Sequence, residues 1–101
     1  MADTPLSLQT VVSGEIQGGT TLEQLPDVPC VQVKIRALAS NSGNVYIGGS
    51  GVTVSDGVTD ATTGYELDAG QDTGWLPVEN LNKLYRVSDN NGDDLVYIAL
   101  R

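Results

Sequence analysis

Hydrophobic and polar residues alternate most strictly from Val31 to Ala39. Val31, Val33, Ile35, Ala37 and Ala39 share one parity, and Gln32, Lys34 and Arg36 share the other. A period of two sends one series into a core and the other into water, so this run predicts a strand. Asn41-Ser42-Gly43-Asn44 has turn chemistry, with Gly43 able to take positive φ. Val45 and Ile47 then resume the alternation around Tyr46. The expectation is a central hairpin with the other strands added around it.

Elsewhere the pattern comes in short pieces. A strand is predicted from about Leu6 to Ile16, ended by Gly18-Gly19. Leu22 to Leu25 is too short, and too close to Pro26, for a stable helix. Val52 and Val54 predict a brief strand, Asp56-Gly57 a turn, and Tyr65 and Leu67 another short strand. Trp75 to Val78 reads as an edge or terminal strand, because Pro77 has no N–H for a ladder. A turn near Glu79 to Leu81 leads to a strand from Leu84 to Val87. Asp89-Asn90-Asn91-Gly92-Asp93 then reads as a hairpin turn. The last strand, Leu95 to Leu100, is apolar on both parities: Val96, Ile98 and Leu100 on one, Leu95, Tyr97 and Ala99 on the other. Such a strand is either covered on both faces or meets another subunit. About seven to eight short strands with frequent turns predict an all-β fold, a compact sandwich or small barrel of antiparallel strands.

At 101 residues the chain supports a single β domain, 1–101, with residues 1–10 as an extended N-terminal arm. The core must be mostly aliphatic, since there are one Trp, four Tyr and no Phe. Trp75, the largest side chain, is read as core, with an exposed interface anchor as the alternative. Thirteen acids against five bases give a net charge of −8, which disfavours nucleic acid and anionic membranes as partners. No apolar run approaches the ~20 residues of a spanning helix. Nor does the N-terminus have a signal-peptide layout, so synthesis and first folding are expected in the cytoplasm.

Histidine is absent, which removes Ser-His-Asp and Cys-His nucleophile systems and the common zinc sites. The lone Cys30 cannot form an internal disulfide and reads as a small half-buried apolar residue. Gly48-Gly49-Ser50-Gly51 lacks the Lys-Ser/Thr of a phosphate loop. Glu66 and Asp68 share a strand face as paired carboxylates would, but no aromatic-lined sugar cleft accompanies them. Asp89 to Asp94 superficially resembles a calcium loop, yet Gly92 comes too early and no glutamate follows. The expectation is a protein that is not an enzyme and holds no cofactor or metal.

The runs Val45-Tyr46-Ile47-Gly48, Val52-Thr53-Val54-Ser55, Gly64-Tyr65-Glu66-Leu67, the stretch from Gly74 to Tyr85 containing Asn80-Leu81-Asn82-Lys83-Leu84-Tyr85, and Gly92-Asp93-Asp94-Leu95-Val96-Tyr97 together resemble small virion proteins of tailed bacteriophages. The resemblance spans about Val31 to Leu100 and is one of strands and turns, without a catalytic signature. Such sequences occur in capsid cement (decoration) proteins and in head-fibre and tail components. It implies binding: a homotrimer on the outer surface of the virion head, clamping major capsid protein subunits where they meet. The alternative is a head-fibre or tail module that binds carbohydrate or a receptor. In the cement picture, the residues themselves offer Leu6, Leu8 and Thr10 of the arm as a strand added to a capsid subunit. They offer Leu95, Tyr97 and Ala99 as the contact between subunits, with Lys34 and Arg36 facing a neighbour's acidic Asp56–Asp72 segment.

Overall fold

A computed structural model describes residues 10–55 and 62–101. Leu6, Leu8 and the Asp56-Gly57 turn lie outside the described residues. Seven strands follow in order: β1 (Val11–Ile16), β2 (Glu23–Gln24), β3 (Gln32–Ala37), β4 (Val45–Gly48), β5 (Tyr65–Leu67), β6 (Tyr85–Ser88) and β7 (Leu95–Leu100). A 3-10 turn, Leu81–Lys83, precedes β6, and the Asn80 side chain caps it by accepting from Asn82 N–H at 2.9 Å.

All named pairings are antiparallel and fall into two sheets, β1-β7-β3 and β2-β6-β4-β5. The chain is a small β-sandwich. Its two inner faces meet in one apolar core. Val33, Ile35 and Ala37 of β3 and Leu95 and Ala99 of β7 face Val45 and Ile47 of β4 and Leu67 of β5. Tyr46 and Val87 point the other way, where Val52 covers them in a second, smaller cluster. The middle strands of that sheet, β4 and β6, are therefore covered on both faces, while β2 and most of β5 stay exposed.

Neither expected hairpin forms. β3 and β4 belong to different sheets, as do β6 and β7, so the turns at 41–44 and 89–94 carry the chain across the sandwich. The alternation predicted both strands but not their partners, because period-two patterning fixes a face and leaves pairing open. Gly43 does not take positive φ; Gly92 does, at +91°. Gly43 is needed for space, since a Cβ there would lie 2.8 Å from the Asp89 Cβ.

Other departures are local. Val52–Val54 is not a strand, although Val52 is buried. Val31 lies outside β3 and is 59% exposed. The Trp75–Val78 run is reduced to a bridge between Leu76 and Val33, with Leu76 N–H donating to Val33 O at 2.7 Å. Pro77 prevents that ladder from continuing.

Burying an aliphatic side chain in such a core contributes about 1.5–3 kcal/mol, and truncation adds a cavity cost. Ile35→Ala or Leu95→Ala is expected to lower stability by about 2–5 kcal/mol in urea unfolding. Val31→Ala is expected to stay within about 0.5 kcal/mol of the parent chain.

Candidate interaction face

Residues directly opposite each other in antiparallel strands share a face. The parity of β3 therefore sets that of β7 and β1. Val33, Ile35 and Ala37 pair with Ala99, Tyr97 and Leu95, and all lie inward. Leu95 and Ala99 are fully buried and Tyr97 packs on the core. The subunit contact expected of Leu95, Tyr97 and Ala99 is thus corrected: the single chain already buries Leu95 and Ala99 and half-buries Tyr97 against its own core.

The outward series is the other one. It forms three rows across the sheet: Val11, Leu100 and Gln32; Ser13, Ile98 and Lys34; Glu15, Val96 and Arg36. The centre of this face is the aliphatic stripe of β7. Lys34 and Arg36 stand on one flank and Glu15 on the other, and Val11 is 59% exposed.

Beyond β3, residues 71–76 run along its second edge. Ala37 N–H donates to Gln71 O at 3.0 Å, Thr73 N–H to Ile35 O at 2.9 Å and Val33 N–H to Leu76 O at 2.9 Å. Leu76 turns inward and packs on the core, while Trp75 is 41% exposed. Lys34 Nζ lies 5.0 Å from the Trp75 ring centroid, within cation–π range. Trp75 is therefore a surface residue of the face, contrary to the core reading. On the opposite flank, no strand pairs the outer edge of β1 among the described residues. Thr10, the last residue of the predicted arm, is exposed there, and its carbonyl accepts from Arg101 N–H at 2.9 Å.

The remaining sequence candidates have structural occupations. Glu66 accepts from Asn44 Nδ2 at 2.9 Å and from the Tyr46 hydroxyl at 3.2 Å. The Asp68 N–H donates to Gln71 Oε1 at 3.0 Å, and neither carboxylate lines a described cavity. Cys30 is buried, its thiol donating to Val78 O at 3.3 Å, and burial pushes that thiol up. Among the described residues no cluster of acids or cysteines can hold a metal ion.

The acidic 89–94 loop is a clamp. Asp93 is buried and accepts from Ser42 N–H at 2.9 Å, Gly43 N–H at 3.1 Å and Asn90 Nδ2 at 3.1 Å, with the Ser42 hydroxyl at 3.4 Å. Burial alone would push its carboxyl up; these donors outweigh burial and hold it below the usual carboxylate range. Beside it, Arg86 is fully buried. Its Nη2 donates to Asp93 O at 2.6 Å and also bonds the Ser88 hydroxyl, and its Nη1 lies 3.9 Å from Glu23. Burial lowers its pKa and the neighbouring carboxylates partly restore it. Sequence reasoning missed this cation because Arg86 sits in an ordinary strand pattern; the one hint is Glu23, far away in the chain.

One cleft opens where the sandwich is not closed. About 320 Å³ in volume, it is lined by Ile47, Tyr65, Thr73 and Leu76. Its lining is mostly apolar, two aliphatic side chains and one tyrosine, and the Thr73 hydroxyl is already committed, donating to Gly74 O at 2.6 Å and accepting from Ile35 N–H at 3.2 Å.

No protein-family model matches this sequence, and no curated relative matches it. Among solved structures, the chain is similar to a Bacillus protein from the work titled "Bacillus endospore appendages form a novel family of disulfide-linked pili". The TM-score is 0.54 at 13% identity, over 91% of this chain and 83% of that one. At that identity the likeness is one of fold.

Because donors to the ionised form hold Asp93 low, its contribution is complete above the ordinary carboxylate pKa and is lost as pH falls through the lowered folded value. The thermal midpoint is expected to drop as pH falls below about 4. Asp93→Asn places an amide against backbone donors; it should cost about 1–3 kcal/mol at pH 7 and flatten the acid limb of a pH-dependent thermal scan.

Proposed function

We propose that this chain is a structural subunit of the decoration type. In this reading it binds the outer surface of an assembled bacteriophage head and stabilises the shell by bridging major capsid protein subunits. The observation that carries the reading is the uncovered face of β1-β7-β3. Val96, Ile98 and Leu100 form an aliphatic stripe there, beside exposed Val11 and Trp75 and with charge on both flanks. A face of this composition is built to be covered by protein. The other side chains singled out for chemistry are engaged in holding the fold. The tie to phage heads comes from the sequence resemblance, and the N-terminal arm with Leu6, Leu8 and Thr10 remains the proposed capsid contact.

The pilus neighbour supports the coarser half of the reading, a β-sandwich that works as an assembly part. Its disulfide linkage does not transfer. One cysteine per subunit joins two chains at most, and Cys30 is buried against Val78. In this reading cohesion does not rest on disulfides.

The cleft beside Tyr65 favours a second reading, the receptor-binding tail or fibre module. Trp75, the other aromatic that reading needs, stands on the outer face over Lys34 instead.

Purified protein mixed with expanded phage heads is expected to co-sediment at saturating stoichiometry and to raise the temperature at which the heads rupture. Ile98→Lys, with its fold checked by circular dichroism, should reduce head binding at least about tenfold, since it places a charge in the centre of an apolar contact. Undiminished binding by that variant would remove the face from the reading.

A further inference from the structure

We infer that the outer face of β1-β7-β3 pairs with the same face of a second copy, across a two-fold axis running parallel to the strands along β7. The inference rests on the reading of this face as an assembly surface, names its occupant, and puts a two-fold pair in place of the homotrimer that the resemblance implies. The argument is one of register. Glu15 and Arg36 both pair with Val96, so they lie in one row, on opposite flanks of the apolar stripe. Rotation about an axis along β7 exchanges the flanks and keeps the rows. It lays β1 of one copy over β3 of the other, with Glu15 opposite Arg36 twice. Ser13 then meets Lys34, and Val11 lands over Gln32, beside Trp75. Val96, Ile98 and Leu100 of the two stripes meet one another in the middle.

The competing two-fold, across the strands, is not complementary. It sets Lys34 against Lys34 and Ile98 against Ile98, and it leaves Arg36 over Gln32 and Glu15 over Val11. Like charges meet and both charged ends lose their partners. Only the axis along the strands matches charge and apolar surface together, as an isologous interface requires.

Charge distribution points the same way. Of the five bases, Arg86 is buried and Lys83 is ion-paired with Glu79 at 3.7 Å. Lys34 and Arg36 are thus the basic residues of this flank, with Asp72 paired beside Arg36 at its outer edge and Arg36 Nε donating to Gly70 O at 3.1 Å. Two such sheets pack face to face about 10 Å apart, within reach of these long side chains.

The face is modest. With strands about 4.8 Å apart and 3.3 Å per residue, three six-residue strands and the bordering segment span roughly 19 by 20 Å. Two copies then bury about 760 Å² of facing area, below the ~1,000 Å² that a stable specific interface clears. The dimer is therefore reversible and concentration-dependent. Its two copies stand back to back and present two identical remaining surfaces, a geometry that lets one unit engage two capsid subunits.

Sedimentation velocity from about 1 μM to 1 mM tests this. The parent chain should pass from monomer to twice the monomer mass, and salt should weaken the association. Glu15→Lys alone places two basic residues opposite each other, and Arg36→Glu alone places two acids opposite each other. Each should weaken dimerisation at least about fivefold. An equimolar mixture of the two variants has both cross-pairs complementary and should form a heterodimer near the parent affinity. That rescue is peculiar to the strand-parallel axis. A monomer throughout the range, a trimer, or a mixture no tighter than either variant alone would overturn the inference. Head co-sedimentation is measured on the same samples: binding that persists without the dimer overturns only the pairing, and a dimer that ignores heads overturns only the decoration reading.

Discussion

The buried carboxylate of Asp93 is the point on which the sandwich closes. The chain crosses between sheets at 41–44 and again at 89–94, and both crossings lie at the same end. Asp93 gathers the Ser42 and Gly43 amides from one and the Asn90 side chain from the other. Asn41 and Asp94 add a reciprocal pair, Nδ2 to Asp94 O at 2.8 Å and Asp94 N–H to Asn41 Oδ1 at 2.9 Å. Buried backbone groups at sharp crossings must find partners, and here a charged acceptor supplies them at greater strength than a neutral one. Arg86 completes the arrangement from below, holding the carbonyl of Asp93 itself. A small aliphatic core with no disulfide thus rests on a polar fastening at one end.

Sheet content was legible in the sequence where alternation was strict. β3, β5 and β7 lie close to where the pattern put them, and the antiparallel sandwich class follows from turn spacing. Pairing was not legible. An apolar strand such as Leu95–Leu100 offers two faces of similar hydrophobicity, and its orientation is settled by register with Val33, Ile35 and Ala37. The wrong parity was therefore chosen for the outward face. Lys34 and Arg36 were placed correctly on the outer surface because polar residues opposite a buried series have one place to go. Trp75 was misplaced for a comparable reason: in a run broken by Pro77, alternation gives no parity to count from.

The face left by this arrangement draws together residues from distant parts of the chain. Glu15 and Arg36 are neighbours across a sheet because both align with Val96, and no local motif carries that information. Motif-level likeness speaks to strands and turns, whereas the surface that gives an assembly part its specificity is a property of register. A fold shared at 13% identity with an appendage protein therefore carries no information about the residues on this face.

The position of β7 has a consequence for biogenesis. It is the last of the described strands in chain order and the middle strand of its sheet, and it supplies the hydrogen-bonding partners of both β1 and β3. Until it leaves the ribosome, the first and third strands have no sheet to join, and the apolar stripe of the outer face does not exist. Formation of that sheet therefore waits for β7 and is slow for its size, since its defining pairs are remote in sequence. A chain lacking β7 cannot display the outer face of β1-β7-β3, because the central stripe of that face is β7 itself.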